Sequence, residues 1–149
     1  MIIVSACLIG LRTRYKGDHN LVTAVRELVE RGEAIPVCPE QLGGLPTPRP
    51  PAWFVGGDGE AVLAGTARVV TESGDDVTAR YVRGAEEVLV LARAVGATRA
   101  ILKDRSPSCG CRNVTLDGEL RPGMGVAAAL LARNGISIES EEDWLDKSS

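Results

Sequence analysis

The feature that most constrains this chain is the alternation of short apolar runs with segments of helical period. "MIIVSA", "AIPV", "TRAILK" and "ISIES" are strand-length runs rich in β-branched residues. Longer stretches lie between them. In "LVTAVRELVERG", Leu21, Ala24, Val25, Leu28 and Val29 share one helical face, with Asn20 placed to cap the start and Gly32 to end it. "ARYVRGAEEVLVLARAVG" predicts a long helix capped by Asp76 or Thr78 and closed by Gly96. "GMGVAAALLARNG" predicts another, ending at Asn134 and Gly135, and "EEDWLDKSS" reads as a short terminal helix or tail. This rhythm predicts the α/β class: a three-layer, Rossmann- or flavodoxin-like sheet, mostly parallel, with about four main strands and helices on both faces. The strand runs are almost continuously apolar, as strands covered on both sides require. Two stretches break the rhythm. "PEQLGGLPTPRPP" is too rich in Pro and Gly for regular structure. Residues 57–72, two apolar runs around a glycine, predict a small inserted β-hairpin.

A length of 149 residues predicts one domain, 1–149. With aromatics at 3% the core must be built from Val, Leu, Ile and Ala, and no stacking platform for single-stranded nucleic acid is available. The net charge of −3, without a block of one sign, gives no footprint for a nucleic-acid duplex or a membrane surface. No stretch reaches the roughly 20 apolar residues that span a bilayer. The apolar N-terminus has no basic leading segment and reads as a strand, not a signal peptide. The chain therefore reads as cytoplasmic, where disulfides are rare and cysteines more often bind metal or do chemistry.

Parallel sheets bind ligands at the carboxyl ends of their strands. Cys7 lies just past the first strand, Cys38 just past the second, and Cys109 a few residues past the third, in "SPSCG". If those strands are neighbours, three thiols converge on one edge of the sheet. Converging thiolates suit a soft metal centre, either zinc or an iron–sulfur cluster. The spacing is neither the C-x-x-C of a zinc ribbon nor a ferredoxin run. Cys111 is a further thiol one residue beyond Gly110.

Several stretches together resemble a known family: "VSACLIG", "RYKG", "PVCPEQLGGLPTPRPP", the "GDG" turn, "DVTARYVRGA", "ILKDRSPSCG" and "GVAAALL". The chain is similar to the small bacterial proteins, long known only as a domain of unknown function, that include the 2-thiouracil desulfidases. The resemblance runs from the first strand to the third helix. It implies a [4Fe-4S] cluster held by three cysteines only, here Cys7, Cys38 and Cys109. It implies that the fourth iron stays open, binds the sulfur of a thiolated base and accepts it as hydrosulfide. It also implies that a carboxylate and a serine serve in proton transfer, here Glu40 and Ser106. On this basis the chain is expected to be a non-redox desulfidase that takes a thiolated nucleobase as its small-molecule partner.

Swapping C=S for C=O needs a polarised sulfur, an attacking water and a trap for sulfide, and an iron with a vacant position suits the first and last. Glu40, two residues after Cys38, is placed to take a proton from water, or else to pair with Arg49. Ser106 precedes Pro107 and either orients water or closes its own turn; Ser108 is the alternative to it and a candidate substrate contact. Ser5, Arg14, Tyr15 and Arg49 lie in the same loops as candidate substrate contacts, with Trp53 as a possible pocket wall. His19, in a polar loop, reads as exposed, and Trp144 as a packing anchor. Lys16 stands where the family often carries an acid, which bears on substrate choice. Cys111 has three readings: a fourth ligand that closes the site, a thiol that briefly holds released sulfur, or a small residue turned away. The alternative to an enzyme is a metal-binding or redox-sensing module using all four cysteines, with zinc in place of the cluster.

Overall fold

A computed structural model describes residues 1–148. Its main sheet has four parallel strands: β1 (Ile2–Ser5), β2 (Ala34–Val37), β5 (Arg99–Leu102) and β8 (Ser137–Ser140), in the order β2-β1-β5-β8. These are the four runs read from the sequence, and their order is that of a flavodoxin-like sheet. The chain winds outward from β1 to β2, then returns and winds the other way from β5. The topological switch point therefore lies between β1 and β5.

Helices cover both faces. Val4, Ala34 and Ile101 point to one side, against Val25 and Leu28 of α1 (Thr23–Glu30) and Trp144 of α6 (Glu141–Ser148). Ile3, Ala100 and Leu102 point to the other, against Val88 and Ala92 of α4 (Thr78–Ala94) and Ala128 and Leu131 of α5 (Val126–Arg133). Alternate residues of β1 and β5 thus feed two cores, which explains why both strands read as continuously apolar.

A second sheet was not legible in the sequence. Its order is β4-β3-β6-β7, built from β3 (Ala52–Val55), β4 (Arg68–Thr71), β6 (Asn113–Leu116) and β7 (Glu119–Pro122). Only its β3–β6 pair is parallel. Phe54, Val69 and Val114 from this sheet pack on Tyr81 and Ala85 of α4 and on Val126 and Ala127 of α5. The N-terminal half of α4 therefore serves the second sheet and its C-terminal half the first, while α5 packs on both, Val126 and Ala127 on the second sheet and Ala128 and Leu131 on the first.

Three local expectations are corrected. Residues 57–72 are not a self-contained hairpin: α3 (Gly59–Leu63) fills the first half, and β4 pairs back antiparallel on β3. Asp58 caps α3 by accepting from the N–H groups of Glu60 and Ala61, and that favours a helical start there. "PEQLGGLPTPRPP" does contain regular structure, the short α2 (Pro39–Leu42), with Pro39 at its first position. Asn20 does not cap α1, which starts after Val22; its backbone N–H donates to the Cys7 carbonyl at 2.9 Å and its side chain to the Cys7 thiol at 3.9 Å. Leu21 lies before the helix and is exposed. Gly32, Gly96 and Gly135 do follow the ends of α1, α4 and α5, each with positive φ. No helix among the described residues is long and apolar enough to cross a membrane.

Candidate active site

At the carboxyl ends of β1, β2 and β5 lies a cavity of about 440 Å³, within the range of small-molecule sites. Cys7, Cys38 and Cys109 all line it, as do Ser5, Arg14, Tyr15, Glu40, Arg49, Trp53 and Ser106. Each thiol arrives by a different route. Cys7 sits in the 3-10 turn Ala6–Ile9 that follows β1. Cys38 is the residue between β2 and α2. Cys109 lies in the loop after β5, clamped by α5: the N–H groups of Val126 and Ala127 donate to the carbonyls of Pro107 and Ser108 at 2.8 and 2.9 Å. That contact requires Gly125, where a Cβ would stand 2.5 Å from the Ser108 carbonyl.

The thiols are held as neutral groups. Burial pushes Cys7 up to about 11, against the Asn20 hydrogen bond, and raises Cys38 with help from the Glu40 charge. Burial raises Cys109 most strongly, opposed by hydrogen bonds to Ser5 and Ser108. The Cys38 thiol donates to the Thr13 carbonyl at 3.9 Å. Among the described residues no three His, Cys, Asp or Glu side chains close to the spacing at which they would share one metal ion.

Cys111 lies apart from this cavity. Its thiol faces the carbonyls of Cys109 and Leu102 at 3.3 and 4.0 Å, and it packs against the α4–α5 core. Its backbone N–H, with those of Arg112 and Asn113, donates to Asp104 Oδ1 at 2.9, 3.0 and 3.2 Å. This single carboxylate turns the chain sharply after Cys109.

Glu40 is the centre of the polar network. Arg49 Nη2 pairs with its Oε2 at 3.3 Å, Ser108 donates to Oε2 at 3.1 Å, and Tyr81 donates to Oε1 at 2.8 Å. Arg49 also donates to the carbonyls of Thr13 and Pro46 and to Thr47 Oγ1. Ser106 Oγ accepts from the N–H groups of Ser108 and Cys109, both at 3.1 Å, and lies 2.9 Å from Ser108 Oγ. With the Ser108 proton directed at Glu40, the Ser106 proton is directed at Ser108. Ser108 is fully buried; Ser106 reaches the cavity. Ser5 Oγ accepts from the Lys103 N–H at 2.9 Å. The Tyr15 ring has the Arg14 and Lys16 cations 5.9 and 5.7 Å from its centroid. His19 is exposed and accepts only from the Leu21 N–H.

Sequence reasoning missed Tyr81, Lys103 and Asp104. Tyr81 had a signal, since it sits in the quoted stretch "DVTARYVRGA". So had the other two, which sit in the quoted stretch "ILKDRSPSCG"; what the sequence leaves unmarked is their link to Glu141, 38 and 37 residues away.

The model of the 2-thiouracil desulfurase family matches residues 2–143. The chain belongs to the 2-thiouracil desulfurase family. Among family relatives, the uncharacterized protein YbbK of Bacillus subtilis (strain 168) is 47% identical over 149 residues, covering 98% of this chain and 99% of YbbK. The solved structure of the [4Fe-4S]-dependent thiouracil desulfidase TudS is similar at a TM-score of 0.84 and 44% identity, over 97% of this chain and 93% of that one. The desulfurase-family assignment thus rests on nearly the whole chain, and it makes this protein an enzyme by descent.

Proposed function

We propose that this chain is an iron–sulfur-dependent desulfidase that converts the C=S of a thiolated pyrimidine, such as 2-thiouracil, to C=O. The balance is simple: thiocarbonyl and water give carbonyl, hydrosulfide and a proton, with no net redox change. One observation carries the reading. Three thiols from three strand ends line one cavity with a carboxylate, and the fourth cysteine faces elsewhere.

The donor set fits a [4Fe-4S] core. It offers three soft ligands spread wider than a single ion needs, held by Cys7, Cys38 and Cys109. Such a core, when bound, supplies a soft Lewis acid with one position open to the substrate's sulfur. Because burial keeps these thiols protonated, loading releases protons.

The chain's own residues do the rest. Each carboxylate oxygen of Glu40 has two lone pairs, and among the described residues Oε1 accepts from Tyr81, so it keeps one for the proton of an attacking water. Arg49 holds the carboxylate in place. The Ser106–Ser108–Glu40 chain links that carboxylate to the cavity and returns the proton toward the substrate side. Tyr15 and Trp53 are the aromatic side chains of the cavity wall nearest in kind to a pyrimidine's needs, while Ser5 is already engaged by Lys103 and Arg49 by Glu40. A non-catalytic module ligated by all four cysteines would need the Cys111 thiol in the cavity, and that thiol is turned to backbone carbonyls.

The test is metal and sulfide analysis of anaerobically purified protein, with a 2-thiouracil assay on the same sample. About four irons per chain, a brown colour and release of uracil with sulfide are expected. A colourless protein with stoichiometric zinc and no uracil would overturn the reading.

A further inference from the structure

Resting on the desulfidase reading, we propose that Tyr81 is the positioning residue of that reaction: its buried hydroxyl fixes the Glu40 carboxylate with one oxygen open to the cavity. Tyr81 is 3% exposed and comes from the first turn of α4, 41 residues from its partner. Its hydroxyl donates to Glu40 Oε1 at 2.8 Å, while Ser108 and Arg49 both bind Oε2. The three donors come from three directions and hold the carboxylate plane, because a group anchored through only one oxygen still turns about its last bond. Removing the Tyr81 hydroxyl removes the only side-chain donor on Oε1 among the described residues.

The rest of the "DVTARYVRGA" stretch serves the same end. Asp76 accepts from the Thr78 N–H at 2.9 Å, starting α4, and Thr78 Oγ1 accepts from the Val69 N–H at 2.9 Å, tying the helix to β4. One turn beyond Tyr81, Gly84 meets the backbone of Pro39 and Gly43 so closely that any Cβ would collide with it. α2 therefore lies directly on α4, and the residue that follows Pro39 in α2 is Glu40. The stretch builds a platform whose output is the distance from Tyr81 to Glu40. The family motif of cysteines and serines needs this platform, since α2 is only four residues long and cannot hold its own orientation.

The test compares Tyr81→Phe, which keeps the ring in its core, with the wild type in the iron-loaded enzyme. The expected result is a kcat lower by about tenfold or more, with KM and iron per chain unchanged. In a Glu40→Gln background the same substitution should add no further loss. Crystal structures of the two proteins should show one Glu40 carboxylate orientation in the wild type and several in Tyr81→Phe. An unchanged kcat, a loss that persists in full beside Glu40→Gln, or iron lost together with kcat would overturn the proposal. So would a wild-type crystal structure in which Tyr81 and Glu40 are not hydrogen-bonded, whatever the variant does. A fully loaded wild type that releases no sulfide would instead overturn the desulfidase reading, and the crystallographic comparison would still decide the role of Tyr81.

Discussion

Cys109 and Cys111 are two residues apart yet meet different surroundings. The first lines the cavity; the second is turned to carbonyl oxygens by the bend that Asp104 holds. Serine at position 7, 38 or 109 should therefore cost most of the iron bound per chain, while Cys111→Ala should keep it, read by iron analysis and visible absorbance. Loss of iron in Cys111→Ala would make that thiol a ligand after all. Asp104 carries its own prediction. Burial works against its ionisation, but backbone N–H groups of Arg112, Asn113, Cys111 and Arg105 outweigh this and hold the carboxyl below its usual range. Its stabilising share is complete above the unfolded value of about 4 and disappears as pH falls through the lower folded value. Asp104→Asn should cost about 1–3 kcal/mol at neutral pH, by urea unfolding of the metal-free protein, and should flatten the acid limb of its stability profile. Arg49 is bound more tightly still, with its side chain 4% exposed and its partner Glu40 14%. Arg49→Met leaves the largely buried Glu40 carboxylate without its counter-charge, held only by the Tyr81 and Ser108 hydroxyls, and a loss of about 3 kcal/mol is expected from the same measurement.

At the scale of elements, the position of Glu40 depends on how a four-residue helix is seated. α2 crosses α4 where Gly43 and Gly84 allow backbone to touch backbone. Gly84→Ala must push the two apart, which overpacking data put at about 1–3 kcal/mol. The consequence for activity should be larger than for folding, because Glu40 rides on α2. Thermal unfolding and sulfide release measured on one preparation would separate the two; equal activity at reduced stability would show that α2 does not set the carboxylate. The elements also differ in how readable they were. The inner strands of the main sheet announce themselves because both faces are covered and β1 and β5 are apolar but for Ser5 and Arg99 at their ends. β6 and β7 do not: β7 is exposed along its whole length, and β6 is buried only at Val114. Their one clear mark is "DG" at 117 and 118, with φ of +50 and +85, the turn that joins two adjacent strands. It is legible in the sequence and went unused. The "AVL" of α3 suits a strand as well as a helix, because a short apolar run does not separate the two.

For the whole molecule, the cavity is the meeting place of three chain segments that share no local contacts in an unfolded chain. A core bound, as proposed, by the thiols that follow β1, β2 and β5 would tie the switch point of the sheet together and would bind the folded state alone. Cluster-loaded protein should therefore unfold at a higher temperature than the metal-free form, by an amount that grows with the tightness of binding. Chelating the iron should return the lower value. An identical melting temperature with and without iron would mean that the core does not bridge the three segments.

The amino-acid order alone determined the α/β class, the four main strands, the helix stops at Gly32, Gly96 and Gly135, and the arrival of three cysteines at strand ends. All of these follow from local periodicity and turn chemistry, which act over a few residues and need no partner. The tertiary structure decided what depends on distant partners: the strand order, the second sheet, the seat of α2 against α4 and the bond from Tyr81 to Glu40. A hydrogen bond between residues 41 apart leaves no periodic trace in the chain, because its geometry is fixed by packing between elements and not by spacing along them.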